Sequence, residues 1–210
     1  IQSVETVESQ YPLRVERCEI REGACGDGHQ RGGFGLRRDI RVLGKTAMLS
    51  VLSEKNVIPP YGVAGGSNGA ANRFVVLRDG EVVQPSDVPG KVSGFPLGPG
   101  DIVREETAGG GGFGDPLIRD AALVSDDVAQ GYLSADQAAA RYGVVLDGNG
   151  AVDQTATDAK RAELVSARLI VALDAANEDD VEGPRRRFTV SRALADRLGV
   201  EDGGLMELRG

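Results

Sequence analysis

The chain predicts an α+β fold: a glycine-rich, mainly antiparallel β body followed by short helices, one longer helix and a small strand–helix–strand tail. Three observations carry this reading. Residues 1–118 hold 21 of the 30 glycines and eight of the nine prolines, whereas the remainder is rich in Ala, Asp and Leu. Within that first part, short β-prone runs alternate with turn clusters. Beyond Asp115 the apolar period lengthens and helix caps replace turns.

The β-prone runs are Leu13–Ile20, Gly35–Val42, Ala47–Ser53, Arg73–Arg78, Glu81–Gln84 and Asp101–Thr107. Asp79-Gly80, between two of them, suits a two-residue hairpin, because both positions tolerate positive φ. Ser125 can cap a short helix that Gly131 ends, and Ser134 with Gln137 forms a capping-box pattern for a second helix ended by Gly143. Asp147-Gly148-Asn149-Gly150 reads as a turn. Val165, Leu169, Ala172, Leu173 and Ala176 then share one face of a longer helix beginning near Thr155 or Thr157. The acidic Asn177–Gly183 reads as a linker, before a strand at Phe188–Val190, a helix near Ser191–Leu198 stopped by Gly199, and a last strand at Leu205–Leu208. The chain divides accordingly into a β-rich body at 1–118, a short helical pair at 119–147, and a helix with a small β-α-β tail at 148–210.

Composition excludes several classes of function. The chain has 210 residues with 40% hydrophobic and 27% charged side chains, which is enough apolar material for a packed core. Its net charge is −8, and its basic residues form no long stripe, so duplex nucleic acid and an anionic membrane surface are disfavoured as partners. No apolar run is long enough to span a bilayer. The start, Ile-Gln-Ser, shows neither a basic n-region nor an apolar h-region, so no signal peptide is expected and a trimmed or processed piece is compatible with it. Two cysteines, Cys18 and Cys25, are too few for a disulfide scaffold, and a reducing cytoplasm is the simplest compartment.

The most conspicuous motif is Gly109-Gly110-Gly111-Gly112-Phe113-Gly114-Asp115-Pro116. It satisfies G-x-G-x-x-G formally, but a dinucleotide loop needs a long helix whose N-terminal amides face the pyrophosphate, and a proline-containing turn follows instead. Two readings stay open: a glycine corner demanding positive φ or very close backbone approach, and an anion-binding nest of exposed amides beside a substrate. Gly44-Lys45-Thr46 imitates the end of a P-loop but lacks the earlier glycine. Cys18, Cys25 and His29 offer three soft ligands where a closed zinc site needs four. His29, in the glycine-dense stretch 23–35 with Asp27 and Arg31, is a candidate general acid or base, and Asp115 is the second candidate. No G-x-S-x-G elbow supplies a nucleophile, and Arg185-Arg186-Arg187 reads as a solvated face.

Taken together, several segments resemble the C-terminal part of the hydantoinase B/oxoprolinase family. They are Tyr11-Pro-Leu-Arg-Val-Glu16, Gly32-Gly33-Phe34-Gly35 leading into Arg37–Ile40, and Pro59-Pro60-Tyr61-Gly62 leading to Gly65-Gly66. Lys91, Gly100-Asp101 and Thr107–Pro116 continue the match, and Asp127-Val128, Gly131, Ser134 and Tyr142–Val145 complete it, over roughly Val4 to Asp147.

The resemblance implies a subunit or fragment of an ATP-dependent amidohydrolase complex that opens a small cyclic amide. A related outcome is ATP-dependent carboxylation of a ketone, and a third is a purely assembling module. The implied partners are a hydantoinase A-like ATP-binding subunit and the N-terminal hydantoinase B-like portion, in a hetero-oligomer. ATP and a divalent metal are implied for the complex, held mainly by other chains or by regions with no counterpart here, and neither is expected on this chain. The isolated chain is expected to be inactive. The segment after Asp147 matches nothing diagnostic of the family.

Overall fold

The computed structural model describes residues 2–168, 181–182, 185–186 and 192–199. By its contacts the chain divides into Ile1–Val165 and Ser166–Gly210. In the first unit the elements run α1 (Val4–Gln10), β1 (Leu13–Arg21), β2 (Gly35–Val42), β3 (Ala47–Leu52), β4 (Arg73–Arg78), β5 (Glu81–Val83), β6 (Lys91–Leu97) and β7 (Ile102–Glu106). A 3-10 turn (Pro116–Ile118) and the helices α2 (Ala121–Ala129), α3 (Ala135–Tyr142) and α4 (Gln154–Ser166) follow. The α+β reading holds.

Five strands form one antiparallel sheet in the order β1-β2-β7-β4-β5, and β3 pairs with β6 in a separate ribbon. Alternation sorts the sheet's side chains onto two faces. Val42, Val76 and Val103 share one face, where Leu97, Leu49 and Phe95 of the ribbon pack against them. The opposite face is charged over β1, β2 and part of β7, where Asp39 stands opposite Arg17 and Arg104, and Arg37 opposite Glu19 and Glu106; Val75, Leu77 and Ile102 share that face.

The β4–β5 hairpin turns through Asp79 (φ 53°) and Gly80 (φ 87°), as the Asp-Gly pair requires. In the first unit, β6 and α1 have no counterpart in the sequence expectations. β6 contains Gly94 and Pro96, which argue against a strand on propensity alone; it pairs on one side only, with β3, where a missing N–H is tolerated. α1 spans only seven residues and is nucleated by Ser3, which accepts a hydrogen bond from Thr6 N.

The helices pack around Val124, Leu133, Ala138, Tyr142 and Val144. α2 starts earlier than Ser125, because Asp120 caps it through Ala122 N, and Ser125 Oγ donates instead to Gly150 O. α3 has the expected capping box between Ser134 and Gln137 and ends at Gly143 in the left-handed region (φ 62°). α4 starts at Gln154, next to the expected Thr155, where Asp153 accepts from Ala156 N; Thr157 turns inward to bond Val145.

In the second unit, Val181-Glu182 and Arg185-Arg186 pair as a short hairpin, β8–β9, where a linker and a charged run were expected. A helix α5 (Arg192–Leu198) is followed by Gly199 at φ 62°. The apolar helix face from Leu169 to Ala176 and the strands at 188–190 and 205–208 lie outside the described residues. No helix among those described is long and apolar enough to cross a membrane.

Candidate functional site

β1, β2, β4 and β7 have the same end of the sheet in common, and the chain leaving or entering them there is glycine-rich. Segments 24–35, 60–70 and 107–114 pack side by side, backbone against backbone. Gly26 N donates to Gly110 O at 2.8 Å, Ser67 N to Asp27 O at 2.7 Å, Ala70 N to Ala24 O at 2.8 Å and Val63 N to Gly112 O at 2.9 Å. The packing explains the four-glycine string. A Cβ on Gly109 would collide with the carbonyl of Ala24, one on Gly111 with that of Tyr61, and one on Gly112 with that of Asp27. Close approach therefore dictates glycine at these positions, and positive φ does so only at Gly114 (74°).

Five amides of this string already have partners. Gly109 N donates to Ala70 O, Gly110 N to Gly33 O, Gly112 N to Ser67 O, Phe113 N to Gln30 O and Gly114 N to Val63 O. An anion nest requires donors turned outward, and these five point into the bundle. The loop's chemistry is thus rigidity: it fixes whatever side chains stand at its end.

His29 and Asp115 stand there together, although 86 positions separate them in sequence. His29 N donates to Gly114 O at 3.2 Å, and its imidazole is exposed. Asp115 is half-buried and caps the 3-10 turn, its Oδ1 accepting from Leu117 N at 2.9 Å. Beneath them lies a buried ion network that sequence reasoning missed. Arg31 Nε donates to both oxygens of Asp127 at 3.2 and 3.1 Å, and Arg119 Nη2 reaches Asp127 Oδ2 at 3.1 Å. Arg119 Nη1 also donates to His29 O at 3.2 Å, so the network grips the backbone that displays the imidazole. Arg31 stacks 4.1 Å from the Phe34 ring, and Arg161 Nη2 donates to Arg119 O at 2.6 Å. No local pattern announces such a cluster, because its members are 96 and 8 residues apart and meet only when helix α2 docks on the bundle.

The cysteines are separate: Cys18 is exposed on β1, Cys25 is buried in the bundle, and both are free, so no bridge joins them. Burial, with the nearby Asp27 charge, raises the Cys25 thiol above its ordinary pKa, which leaves it a poor nucleophile. Burial and the same Asp27 also push the Tyr142 phenol up. Among the described residues no group of three His, Cys, Asp or Glu side chains could hold a metal ion. The donor set among the described residues does not fit the divalent metal that the resemblance implies for the complex, and the five occupied amides of the glycine string do not fit a nucleotide's phosphates.

The family model for hydantoinase B/oxoprolinase matches residues 1–116. The chain belongs to the hydantoinase B/oxoprolinase family. This B-type chain is 34% identical over 167 residues to the beta subunit of caprolactamase from Pseudomonas jessenii, covering 76% of itself and 28% of that subunit. It is 36% identical over 143 residues to an uncharacterized protein of Methanocaldococcus jannaschii, covering 68% of itself and 24% of that protein. The crystal structure of the ATP-dependent caprolactamase from Pseudomonas jessenii superposes with a TM-score of 0.65 at 37% identity, over 76% of this chain and 28% of that one. An acetone carboxylase structure shares the fold, with a TM-score of 0.65 at 23% identity over 80% of this chain and 27% of that one. The B-type chain thus spans about a quarter of the length of these two relatives.

Proposed function

We propose that this B-type chain forms part of a subunit in an ATP-dependent complex that opens a small cyclic amide. The observation that supports this reading best is the agreement in both sequence and fold with the caprolactamase beta subunit over three quarters of the chain. In this reading ATP is used by a hydantoinase A-like partner, and the remainder of the B-type fold comes from chain with no counterpart here. The chain then contributes a wall of the reaction chamber, set by the glycine bundle. Water adding to the ATP-activated carbonyl forms the C–O bond as the C–N bond breaks, and in this reading His29, exposed and anchored through its backbone to Gly114 and Arg119, gives the departing nitrogen its proton. Asp115, at the same end of the bundle, shapes the turn beside it.

The test is ADP release by the chain assembled with a hydantoinase A-like subunit and the missing B-type portion. Release with hydantoin-type compounds or caprolactam, and none with acetone plus bicarbonate, is the expected result; the reverse selectivity would make the complex a ketone carboxylase. His29→Ala should lower turnover about a hundredfold, in the range of lost general acid catalysis, with the assembly eluting unchanged on size exclusion. If activity falls only as the complex dissociates, the chain is an assembly module and the proton-transfer role is wrong.

A further inference from the structure

The charged face of the five-stranded sheet has an arginine surplus that its own carboxylates do not absorb. Register places Arg14, Arg17 and Arg21 of β1 on this face, opposite Arg41, Asp39 and Gly35 of β2. Arg37 lies between them on β2, Arg104 follows on β7 and Arg73 on β4. Against these seven arginines stand four acids, Glu16, Glu19, Asp39 and Glu106. The surplus is local and opposes the −8 of the whole chain. No lysine contributes to it, although solvated sheet faces commonly use lysine and arginine is the side chain favoured at interfaces.

The guanidinium groups are also already ordered. Asp39, nearly buried, takes Arg104 through two 2.8 Å bonds, with Arg37 at 3.8 Å and Arg17 at 3.9 Å. Glu19 is shared by Arg17 at 3.2 Å and Arg37 at 3.9 Å. Three guanidiniums with five N–H donors each therefore converge on two carboxylates, and Arg37 Nε is buried without a hydrogen-bond partner. Arg17 and Arg73 keep about half of their side-chain surface exposed, at 52% and 51%. Such pre-set forks lose little rotamer freedom when a further carboxylate arrives, which is what favours binding.

We propose that this sheet face docks an acidic protein surface, one presenting clustered Asp and Glu side chains. The inference rests on the reading that the chain works inside an assembly, and it names the face and the chemistry of the contact. A protein surface fits better than a nucleic acid, because a chain of net charge −8 repels an extended polyanion at long range while short-range bidentate pairs remain available.

The probe is a short peptide of otherwise neutral residues carrying four clustered Asp and Glu side chains, added to the full chain, with duplex DNA alongside as the extended polyanion. Binding of the peptide that weakens roughly tenfold on raising the salt from low to physiological is expected. In the wild-type chain the peptide should shield Arg14, Arg17 and Arg73 from phenylglyoxal, read by mass spectrometry, and leave Arg141 and Arg161 as reactive as before. Combined Arg14→Gln, Arg17→Gln and Arg73→Gln should abolish binding while the circular dichroism spectrum is kept. The shielding pattern decides the matter even if that variant fails to fold. No binding, shielding elsewhere, or tighter binding of the DNA at this face would each overturn the proposal. None of these measurements depends on turnover, so the cyclic-amide reading stands or falls separately.

Discussion

The glycine bundle and the helical cluster sit next to one another and are stabilised in opposite ways. In the bundle, segments 24–35, 60–70 and 107–114 hold each other through peptide groups, and the absence of side chains is what allows the approach. In the helical cluster, Val124, Leu133, Ala138, Tyr142 and Val144 fill the interior with side chains, while backbone bonds outside the helices, such as Asp153 N to Val145 O, tie only the connecting turns. Most glycines of the bundle tolerate no added atom, because a Cβ would meet a neighbouring carbonyl. The helical cluster tolerates conservative change and supplies the charged groups, Arg119 and Asp127, that clamp the bundle. A rigid display of His29 and Asp115 needs both: a backbone that cannot shift, and a polar clamp that fixes where it ends.

The sharpest break in this comparison is Gly112→Ala. The new methyl would meet the carbonyl of Asp27, a backbone atom that cannot move without breaking the Ser67 N to Asp27 O bond. A loss of about 3 kcal/mol, or failure to fold, is the expected outcome in a denaturant titration. Gly98→Ala is the matched control: its Cβ would meet nothing within 4 Å, so the change should stay within about 0.5 kcal/mol. Equal behaviour of the two variants would show that the glycine string is not held by close approach.

How legible each region was follows from the same contrast. Short-range chemistry was readable: the Asp79-Gly80 hairpin, the Ser134–Gln137 box and the stop at Gly143 each depend on residues within a few positions. At Gly109–Gly112 the sequence left positive φ, close approach and an anion nest side by side, and the partners that decide for close approach were not readable, because the carbonyls of Ala24, Asp27 and Tyr61 come from two other segments. β6 escaped since Pro96 and Gly94 obey an edge-strand exception that becomes visible only once pairing is known. The Arg31–Asp127–Arg119 network escaped for a further reason. Buried ion pairs across distant segments leave no periodic trace, and Arg31 and Asp127 look like ordinary surface residues in sequence. The family was legible because its motifs are the glycines that the bundle makes obligatory.

The clamp itself is the next effect in size. Asp127→Ala removes the only carboxylate bonded to both Arg31 and Arg119 among the described residues, and leaves Arg119, with 7% of its side chain exposed, charged and buried. Removing one member of such a buried set costs about 3 kcal/mol, less whatever water relaxes into the gap. Amide exchange should then accelerate at His29, whose carbonyl Arg119 holds, before it does in the interior of the bundle. Uniform acceleration would mean that clamp and bundle open as one unit.

Acid separates sheet from bundle more gently. The Arg104 hydrogen bonds hold the Asp39 carboxyl below its ordinary pKa, and Arg78 does the same for Asp101. A folded-state pKa below the unfolded one gives stability that is complete above the unfolded value, about 3.9, and is lost as pH falls through the folded value. Glu105, pushed up by burial, has the opposite sign and is relieved as the pH drops, so it offsets part of the loss. Protection should fade first from β2 and β7 below pH of about 4, while the peptide-to-peptide bonds between 24–35 and 107–114, which have no titrating member, persist. Simultaneous loss would place the weak point elsewhere.

The smallest effect tests the helical side alone. Ser134→Ala removes the hydroxyl that accepts from Gln137 N at 3.1 Å, while Gln137 Oε1 can still accept from the backbone N–H of position 134. Half of the capping box therefore survives, and the expected cost is about 1 kcal/mol, read as a lower denaturation midpoint with an unchanged slope. Ser134→Asp should restore most of it, because a carboxylate also accepts at the N-cap and complements the helix dipole. Tyr142 and Ala138, buried on the inner face of α3, keep their packing in both variants, so the fluorescence of Tyr142 should not change in the native state. A loss as large as that of Asp127→Ala would mean that the cap, rather than side-chain packing, carries α3, and the division between a backbone-held bundle and a side-chain-held helical cluster would have to be redrawn.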